Sequence, residues 1–149
     1  MKIAHNVKLS VFAHEEDDEK QVEQAFLSLM PFDLEQEKLK LSRTAATGFK
    51  ERKITILEII LTKEKHTSKL LTFLKQGLSD DQRQLLLNQA DSRLDNELNF
   101  FIRLDKPKLL NNEFWITDEG NCFHIRISVA AYPKKREAAL GVIESWLKQ

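Results

Sequence analysis

Apolar and polar residues alternate along several stretches of the chain, which is typical of strands with one covered and one open face. In the last third, Phe100, Ile102 and Leu104 share one phase of the alternation, whereas Arg103 belongs to the other. The strands predicted from this pattern are Ile3–Ala13, Leu39–Ala46, Ile54–Leu61, Leu98–Leu104 and Cys122–Ala131, with a short strand at Phe114–Ile116. Asp118–Asn121 is predicted to form a hairpin turn before the last strand.

Apolar residues at helical spacing predict helices between these strands. The acidic run Glu15–Glu19 suits a helix N-terminus because the helix dipole is positive there. Ser79–Gln82 has the form of a capping box, with Ser79 as the N-cap and Gln82 reaching back. The predicted helices follow the acidic run as far as Pro31, span Leu70–Leu78, run from Ser79 to about Leu94, extend from Asp105 to about Asn111, and run from the segment Tyr132–Arg136 to Leu147.

One strand departs from the alternation, because Ile54–Leu61 is apolar on both faces. Thr55, Leu57 and Ile59 form a core-like face, and the opposite face carries Ile54, Ile56 and Ile60, interrupted only by Glu58. Such a strand is either central and covered on both sides, or one of its faces meets another subunit. We favour a contact in a homodimer.

Charge and composition narrow the classes of function. A chain of 149 residues is predicted to form one domain, 1–149. Basic and acidic residues number 23 each, so nucleic-acid binding would require clustered cations rather than a basic field over the whole protein. The single cysteine, Cys122, excludes an internal disulfide framework and suits a reducing cytoplasm. No apolar run approaches the roughly 20 residues that span a membrane, and the first residues do not resemble a signal peptide.

Basic residues cluster where local helix physics does not require them. Lys134, Lys135 and Arg136 are expected in the first turn of the last helix, where each exposed cation costs about 0.3–1 kcal/mol. An anion bound at the helix N-terminus would explain them. Together with a basic loop and an open sheet face carrying Lys8, Lys40, Arg103 and Arg126, such clusters could follow a phosphate backbone. The predicted backbone contacts are Lys50, Arg52, Lys53, Arg103, Lys106, Lys108, Lys134, Lys135 and Arg136, and Phe49, Phe101 and Tyr132 are predicted to stack on unpaired bases.

Other interpretations compete with this one. Each cation taken alone is more often an ordinary solvated side chain than a binding residue. The apolar face of Ile54, Ile56 and Ile60 would equally suit a protein-interaction module that binds no RNA. The four histidines show no metal-binding spacing, and no nucleophile or phosphate-loop motif is present, so we expect neither an enzyme nor a cofactor. A magnesium-dependent nuclease would use Asp95, Glu97, Asp105 and Asp118, which caps and turns already explain.

Four segments resemble those of a family of small archaeal proteins that are described as RNA-binding-domain proteins or predicted exosome subunits. They are Ala4–Leu9, Thr47–Phe49 followed by Ile54–Glu58, Arg103–Lys106, and Ala130–Pro133 followed by Arg136–Leu140. The resemblance runs in order over nearly the whole chain. The chain departs from the family where Leu98 replaces a glycine, which could move the start of the strand by a residue or two. Cys122 and His124 also replace more usual residues at the entry to the last strand.

The resemblance implies an α+β fold like that of large-subunit ribosomal protein five. In such a fold, helices pack on one face of a mainly antiparallel sheet of about five strands. It also implies a cytoplasmic role near RNA processing, with exosome subunits as partners, and it supplies no catalytic residue. The combined interpretation is a non-catalytic, RNA-binding accessory protein that forms a homodimer.

Overall fold

The computed structural model describes residues 2–148, which form one five-stranded sheet with helices on one side. The strands are β1 (Ala4–His14), β2 (Ser42–Thr47), β3 (Lys53–Leu61), β4 (Asn99–Asp105) and β5 (Cys122–Val129). The helices are α1 (Glu19–Ser28), α2 (Glu64–Gly77), α3 (Asp80–Asn88), α4 (Ala90–Arg93), α5 (Lys106–Leu110) and α6 (Arg136–Lys148). The strand order is β2-β3-β1-β5-β4, and all neighbouring pairs are antiparallel. The predicted α+β class with a mainly antiparallel sheet is confirmed.

The core lies between the apolar face of the sheet and the helices. Alternate residues of the strands are buried there, as the sequence pattern predicted for Phe100, Ile102 and Leu104. The ring of Phe26 on α1 stacks on Phe123 of β5 with ring centroids 6.4 Å apart. Burial of each such side chain stabilises the fold by about 1.5–3 kcal/mol, so this face fixes which side of every strand points inward.

The N-terminus of α1 confirms the interpretation of the acidic run as a helix entry. Asp18 is the N-cap, and its carboxylate accepts hydrogen bonds from the backbone N–H groups of Lys20 and Gln21. Glu19 occupies the first turn, where the helix dipole favours a negative charge.

The predicted capping box at the start of α3 is only half formed. The Ser79 hydroxyl accepts a hydrogen bond from the backbone N–H of Gln82 at 3.2 Å, as predicted. The Gln82 side chain does not return to Ser79, because its Oε1 accepts a hydrogen bond from the backbone N–H of Ile116 at 2.6 Å. The Gln82 oxygen that the capping box would use is therefore hydrogen-bonded to Ile116, a residue distant in the sequence. The predicted helix to Leu94 is also wrong in one respect, because it breaks at Gln89 into α3 and α4.

The predicted hairpin at Asp118–Asn121 is wrong. Ile116 pairs with Leu104 of β4, and Cys122 at the start of β5 pairs with Asp105 of the same strand. The two segments thus lie on opposite edges of β4 rather than beside each other. The chain crosses the end of β4 instead of turning back, and residues 115–117 hydrogen-bond to the outer edge of β4, where the N–H of Asp105 donates to the carbonyl of Trp115 and the N–H of Thr117 donates to that of Arg103.

Four strand starts differ from the predictions, those of β1, β3 and β4 by one residue and that of β2 by three. The tight turn before β4 is formed although Leu98 occupies the position for which the resemblance implied glycine, and Leu98 adopts a φ of 65°. Asp95 supports this turn by accepting hydrogen bonds from the backbone N–H groups of Glu97 and Asn99. β2 begins at Ser42 rather than Leu39, so Lys40 lies before the strand and not on the sheet face predicted for it.

The last helix begins one residue after the lysines that were expected in its first turn. α6 starts at Arg136, and the carbonyl of Lys135 accepts the hydrogen bond from the N–H of Ala139. Lys134 and Lys135 therefore precede the helix. At its other end, the indole N–H of Trp146 donates to the carbonyl of Leu71 at 3.0 Å, which fixes α6 against α2.

Candidate functional site

The sheet face away from the helices is the principal candidate site. β1, β5 and β4 place alternate residues on it, and we call this surface the open face. Strand register sets Lys8, Arg126 and Phe101 side by side in one row, and Ser10, His124 and Arg103 in the next. A shallow depression of about 330 Å³ lies over these rows. The open face consists of Lys8, Ser10, Phe12, Phe101, Arg103, His124 and Arg126.

The open face carries positive charge that carboxylates only partly balance. Lys8 forms a salt bridge with Glu58 of β3 at 3.2 Å. Arg103 donates from Nη1 to the backbone carbonyl of Asp118 at 3.0 Å, and within residues 2–148 neither Arg103 nor Arg126 is in an ion pair. The Nε of Arg126 is buried and has no hydrogen-bond partner among these residues. An arginine donor in this state favours an acceptor from outside the chain.

Aromatic rings lie between these cations. Phe12 is 41% exposed and Phe101 is 40% exposed, although both belong to strands with buried apolar faces. The ring centroid of His124 lies 6.0 Å from that of Phe12. Burial, followed by the nearby charges of Arg103 and Lys106, lowers the pKa of His124 below its ordinary value. His124 is therefore neutral at pH 7 and contributes a ring and hydrogen bonds rather than a charge.

The open face continues past Phe12 to the loop between β2 and β3. Phe49 in this loop is 87% exposed, and the ammonium of Lys50 lies 5.8 Å from its ring centroid. Phe12, Phe49 and Arg52 line one continuous depression. In the part of the chain that the structure describes, Lys50, Arg52 and Lys53 form no ion pair with a carboxylate. Of the loop cations predicted from the sequence, Lys50 and Arg52 thus adjoin the open face.

A further arginine lies at the opposite rim, next to Phe101 and Arg103. Arg93 of α4 donates to the side chain of Gln89 and forms a salt bridge with Asp118 at 3.1 Å. Arg93 carries no local signal in the sequence, because its position depends on the break between α3 and α4.

Lys106 is not available for a backbone contact, contrary to the prediction. Its side chain is buried, and Nζ donates to the carbonyl of Phe12 at 2.6 Å and pairs with Asp17 at 3.3 Å. The end of β1 and the turn after it therefore draw the ammonium inward. Lys108 is half exposed, but its Nζ lies 3.7 Å from the carboxylate of Glu113 and 5.2 Å from the ring centroid of Trp115.

We call residues 132–135 the segment before α6. This segment, together with Arg136 at the start of α6, lies at the other end of the sheet from the β2–β3 loop. It follows β5, whose last residue, Val129, pairs with Ala4 at the beginning of β1, whereas the β2–β3 loop lies near the end of β1. The 11 residues of β1 separate these ends by roughly 35 Å. The predicted cations therefore do not form one compact cluster.

Arg136 and the residues of the segment before α6 differ in their surroundings. Arg136 forms a salt bridge with Asp91 at 3.1 Å and donates to the carbonyl of Leu94 at 3.0 Å, so its guanidinium is largely occupied. Tyr132 is 77% exposed, with its ring edge-on to His5 at 5.9 Å between centroids. Of the three cations, Lys134 and Lys135 are exposed to solvent and form no ion pair within residues 2–148.

Several residues of the open face were missing from the predicted contacts. Lys8 and Arg126 were recognised as open-face cations but not included among the predicted contacts, and Phe12 was not singled out. The signal for Phe12 was present, because it shares the polar phase of β1 with Lys8 and Ser10. An aromatic residue in the polar phase of a strand indicates an exposed ring.

Three of the four carboxylates considered for magnesium, namely Asp95, Asp105 and Asp118, have structural partners. Asp105 caps α5 by accepting from the backbone N–H of Lys108, and Asp118 pairs with Arg93. Over residues 2–148, no group of three His, Cys, Asp or Glu side chains is arranged to hold a metal ion. Within the same range, no helix is long and apolar enough to cross a membrane.

Comparison with known proteins gives consistent matches over nearly the whole chain. A family model described as RNA binding matches residues 6–129. An RNA-binding protein of Pyrococcus abyssi is 27% identical over 145 residues, which cover 97% of this chain and 94% of that protein. The crystal structure of a protein from Archaeoglobus fulgidus superposes with a TM-score of 0.85 at 26% identity, covering 97% of this chain and 99% of the other. A DUF54 protein of Methanothermobacter thermautotrophicus superposes with a TM-score of 0.77 at 26% identity, covering 97% and 98%.

Proposed function

The chain belongs to the family described as RNA binding, and from this premise we propose that it binds RNA through the open face. The observation that carries the proposal is the pair Arg103 and Arg126, which lie on an exposed sheet face and are in no ion pair among the described residues, although the charge of Arg126 still acts on Asp95. Arginine suits phosphate because its planar guanidinium can donate two parallel hydrogen bonds. The exposed rings of Phe12 and Phe101 add surfaces for bases.

The loop cations extend this surface. Lys50 and Arg52 adjoin the open face through Phe12, Lys53 follows them at the start of β3, and we propose that all three contact the RNA backbone. We assign a secondary role to Lys134 and Lys135, because they lie at the far end of the sheet and could contact only a longer RNA. Lys106 has no role in this proposal, since it is buried against Asp17.

The role that we propose is that of a non-catalytic accessory protein in RNA processing. The absence of a nucleophile or phosphate-loop motif in the sequence supports it. The resemblance of the sequence to predicted exosome subunits is the reason for proposing exosome subunits as partners. Cys122 is a free, buried cysteine, which suits a reducing cytoplasm as the location.

The proposal is tested by the salt dependence of RNA binding. We expect Arg103→Gln/Arg126→Gln to weaken binding at least tenfold, because two charge-assisted contacts are lost. The slope of log K against log[salt] should fall by about 1.4, that is, by about 0.7 for each lost phosphate contact with a single strand. Fluorescence anisotropy titrations at several salt concentrations measure both quantities, and thermal unfolding shows whether the variant is folded.

The matched control is Lys134→Gln/Lys135→Gln, which removes the same charge at the other end of the sheet. It should change binding of a short RNA by less than threefold. If the arginine variant is folded and binds like the wild type with an unchanged slope, the open face is not the binding site. A larger loss in the lysine variant would transfer the site to the segment before α6.

A second candidate function is association through the isoleucine strip, which we define as Ile54, Ile56 and Ile60 on β3. The observation in its favour is that Ile60 is 49% exposed and lies beside Lys8, on the same side of the sheet as the open face. We propose that this strip supports a homodimer. Sedimentation equilibrium should show a salt-resistant dimer that Ile60→Ser dissociates, and a wild-type chain that sediments as a monomer at high concentration would contradict it.

A further inference from the structure

The aromatic residues of the open face lie on a diagonal across three strands. Phe12 of β1 is two residues beyond Ser10, which pairs with His124 of β5, and Phe101 of β4 pairs with Arg126, two residues beyond His124. Diagonal neighbours of this kind are about 7–8 Å apart and within reach of aromatic side chains. The 6.0 Å between the ring centroids of Phe12 and His124 agrees with this geometry. We call Phe12, His124 and Phe101 the aromatic diagonal.

Cations flank the aromatic diagonal on both sides. Arg126 pairs with Phe101 across one pair of strands, and Arg103 pairs with His124 across the same pair. Phe101 and His124 therefore each have a guanidinium directly opposite them on the neighbouring strand. Bases stacked on the rings would leave their phosphates within reach of these arginines.

One donor atom of this surface has no hydrogen-bond partner within the described part of the chain. The Nε of Arg126 is a buried donor without a hydrogen-bond partner among residues 2–148. Buried polar groups are nearly always hydrogen-bonded to protein or to water, so this donor is free to accept a partner from outside the chain, either water or a bound molecule. A phosphate oxygen or a base carbonyl meets this requirement.

These observations distinguish between single-stranded and double-stranded RNA. In a duplex the faces of the bases are stacked on one another, so proteins recognise it by its shape and through its backbone and 2′-hydroxyl groups. Exposed phenylalanine rings cannot make such contacts, because they have no hydrogen-bonding group. Unpaired bases present their faces to aromatic side chains. We infer that the open face binds single-stranded RNA, with unpaired bases stacked on Phe101 and Phe12 and phosphates held by Arg126 and Arg103. This inference rests on the proposed function and adds the class of RNA.

The test compares an unpaired oligouridine of about 12 nucleotides, a length that single-strand-binding folds cover, with an RNA duplex of the same length. We expect the wild type to bind the single strand at least tenfold more tightly at the same salt concentration. Phe101→Leu and Phe12→Leu should each weaken single-strand binding about 5- to 150-fold, the usual range for loss of one stacked base. Neither should change duplex binding by more than twofold.

Further variants separate stacking from damage to the fold. Phe101→Tyr retains a ring and should restore single-strand binding to within threefold of the wild type. Trp115→Leu is the matched control, because Trp115 is 43% exposed and lies outside the open face. In addition, 2-aminopurine placed in the oligonucleotide should lose fluorescence when it binds the wild type, and should lose less with Phe101→Leu.

The outcomes distinguish the inference from the proposed function. If the wild type binds neither RNA, the proposed function fails. The inference is overturned if the wild type binds the duplex as tightly as the single strand and the phenylalanine variants retain their affinity. The proposed RNA binding through the open face still stands in that case, provided that Arg103→Gln/Arg126→Gln loses affinity. Loss of affinity in Trp115→Leu equal to that in Phe101→Leu would also overturn the inference.

Discussion

Replacing Asp17 with asparagine tests how strongly the buried lysine of α5 holds the end of β1. The ammonium of Lys106 donates to the carbonyl of Phe12 and pairs with Asp17 at 3.3 Å. The variant Asp17→Asn retains the size of the side chain and an oxygen that can accept from the N–H of His14. It removes the only carboxylate in an ion pair with Lys106 among the described residues.

The magnitude follows from the burial of the two partners. The Lys106 side chain is 3% exposed and that of Asp17 is 25% exposed, so the pair is neither at the surface nor fully buried. Exposed pairs contribute about 0.2–1 kcal/mol, whereas removing one partner of a fully buried pair costs about 3–5 kcal/mol. We therefore expect Asp17→Asn to lower the free energy of unfolding by about 2 kcal/mol. For a chain of this size, the melting temperature should fall by about 4–8 °C.

The effect should depend on pH in a defined direction. Burial raises the pKa of Asp17, but the hydrogen bond from His14 and the charge of Lys106 outweigh burial, and the pKa lies below its ordinary value of 3.8. A carboxyl group with a lowered pKa in the folded state stabilises the fold above the pKa of the unfolded state. This stabilisation is lost as the pH falls through the folded-state pKa. The difference between the wild type and Asp17→Asn should therefore be complete at pH 6 and disappear as the pH falls well below 3.8.

Urea denaturation at pH 6 and at acidic pH, followed by circular dichroism, measures both effects. Glu113→Gln is the matched control, because it breaks the half-exposed pair with Lys108 and should cost less than about 0.5 kcal/mol. A double-mutant cycle with Lys106→Met isolates the coupling energy of the pair. A cost below 0.5 kcal/mol for Asp17→Asn, or a difference that grows as the pH falls, would refute the reasoning.

Three further predictions concern contacts at a distance from the open face. Gln82→Ala should lower the free energy of unfolding by about 1–3 kcal/mol in urea denaturation, because the N–H of Ile116 loses its acceptor; an unchanged midpoint would contradict this role. Replacing glycine with alanine in a helix normally stabilises a protein. At Gly77, however, the added Cβ would collide with the ring of Phe114, so we expect Gly77→Ala to lower the melting temperature. Trp146→Phe should cost about 1–2 kcal/mol through the lost indole hydrogen bond and a small cavity, and calorimetry showing no change would disprove that contribution.

Local patterns predicted the parts of the structure that depend on neighbouring residues. The strict alternation in β1, β4 and β5 identified their buried faces, because a strand with one covered face leaves a period of two in its sequence. The N-caps of α3 and α5 and the acidic entry to α1 were recognisable for the same reason, since a cap and the N–H groups that donate to it lie within three residues. The sequence also placed Arg103, His124 and Arg126 together on an exposed face, as observed.

Contacts between distant residues were decided only by the tertiary structure. The sequence around Gln82 suits a capping box whether or not Ile116 lies beside it in the fold. Likewise, nothing near Lys106 in the sequence shows that its ammonium will contact Asp17 and the carbonyl of Phe12. The position of the segment before α6 at the opposite end of the sheet from the β2–β3 loop depends in the same way on strand order.

For this protein, the sequence alone determined the class of fold, the buried face of each long strand and the cationic character of the other face. The tertiary structure decided which cations share a surface, which one is buried, and that Phe12 and Phe101 lie on one diagonal. The physical reason is that hydrophobic periodicity records burial residue by residue, whereas strand order and register bring together residues that are far apart in the chain.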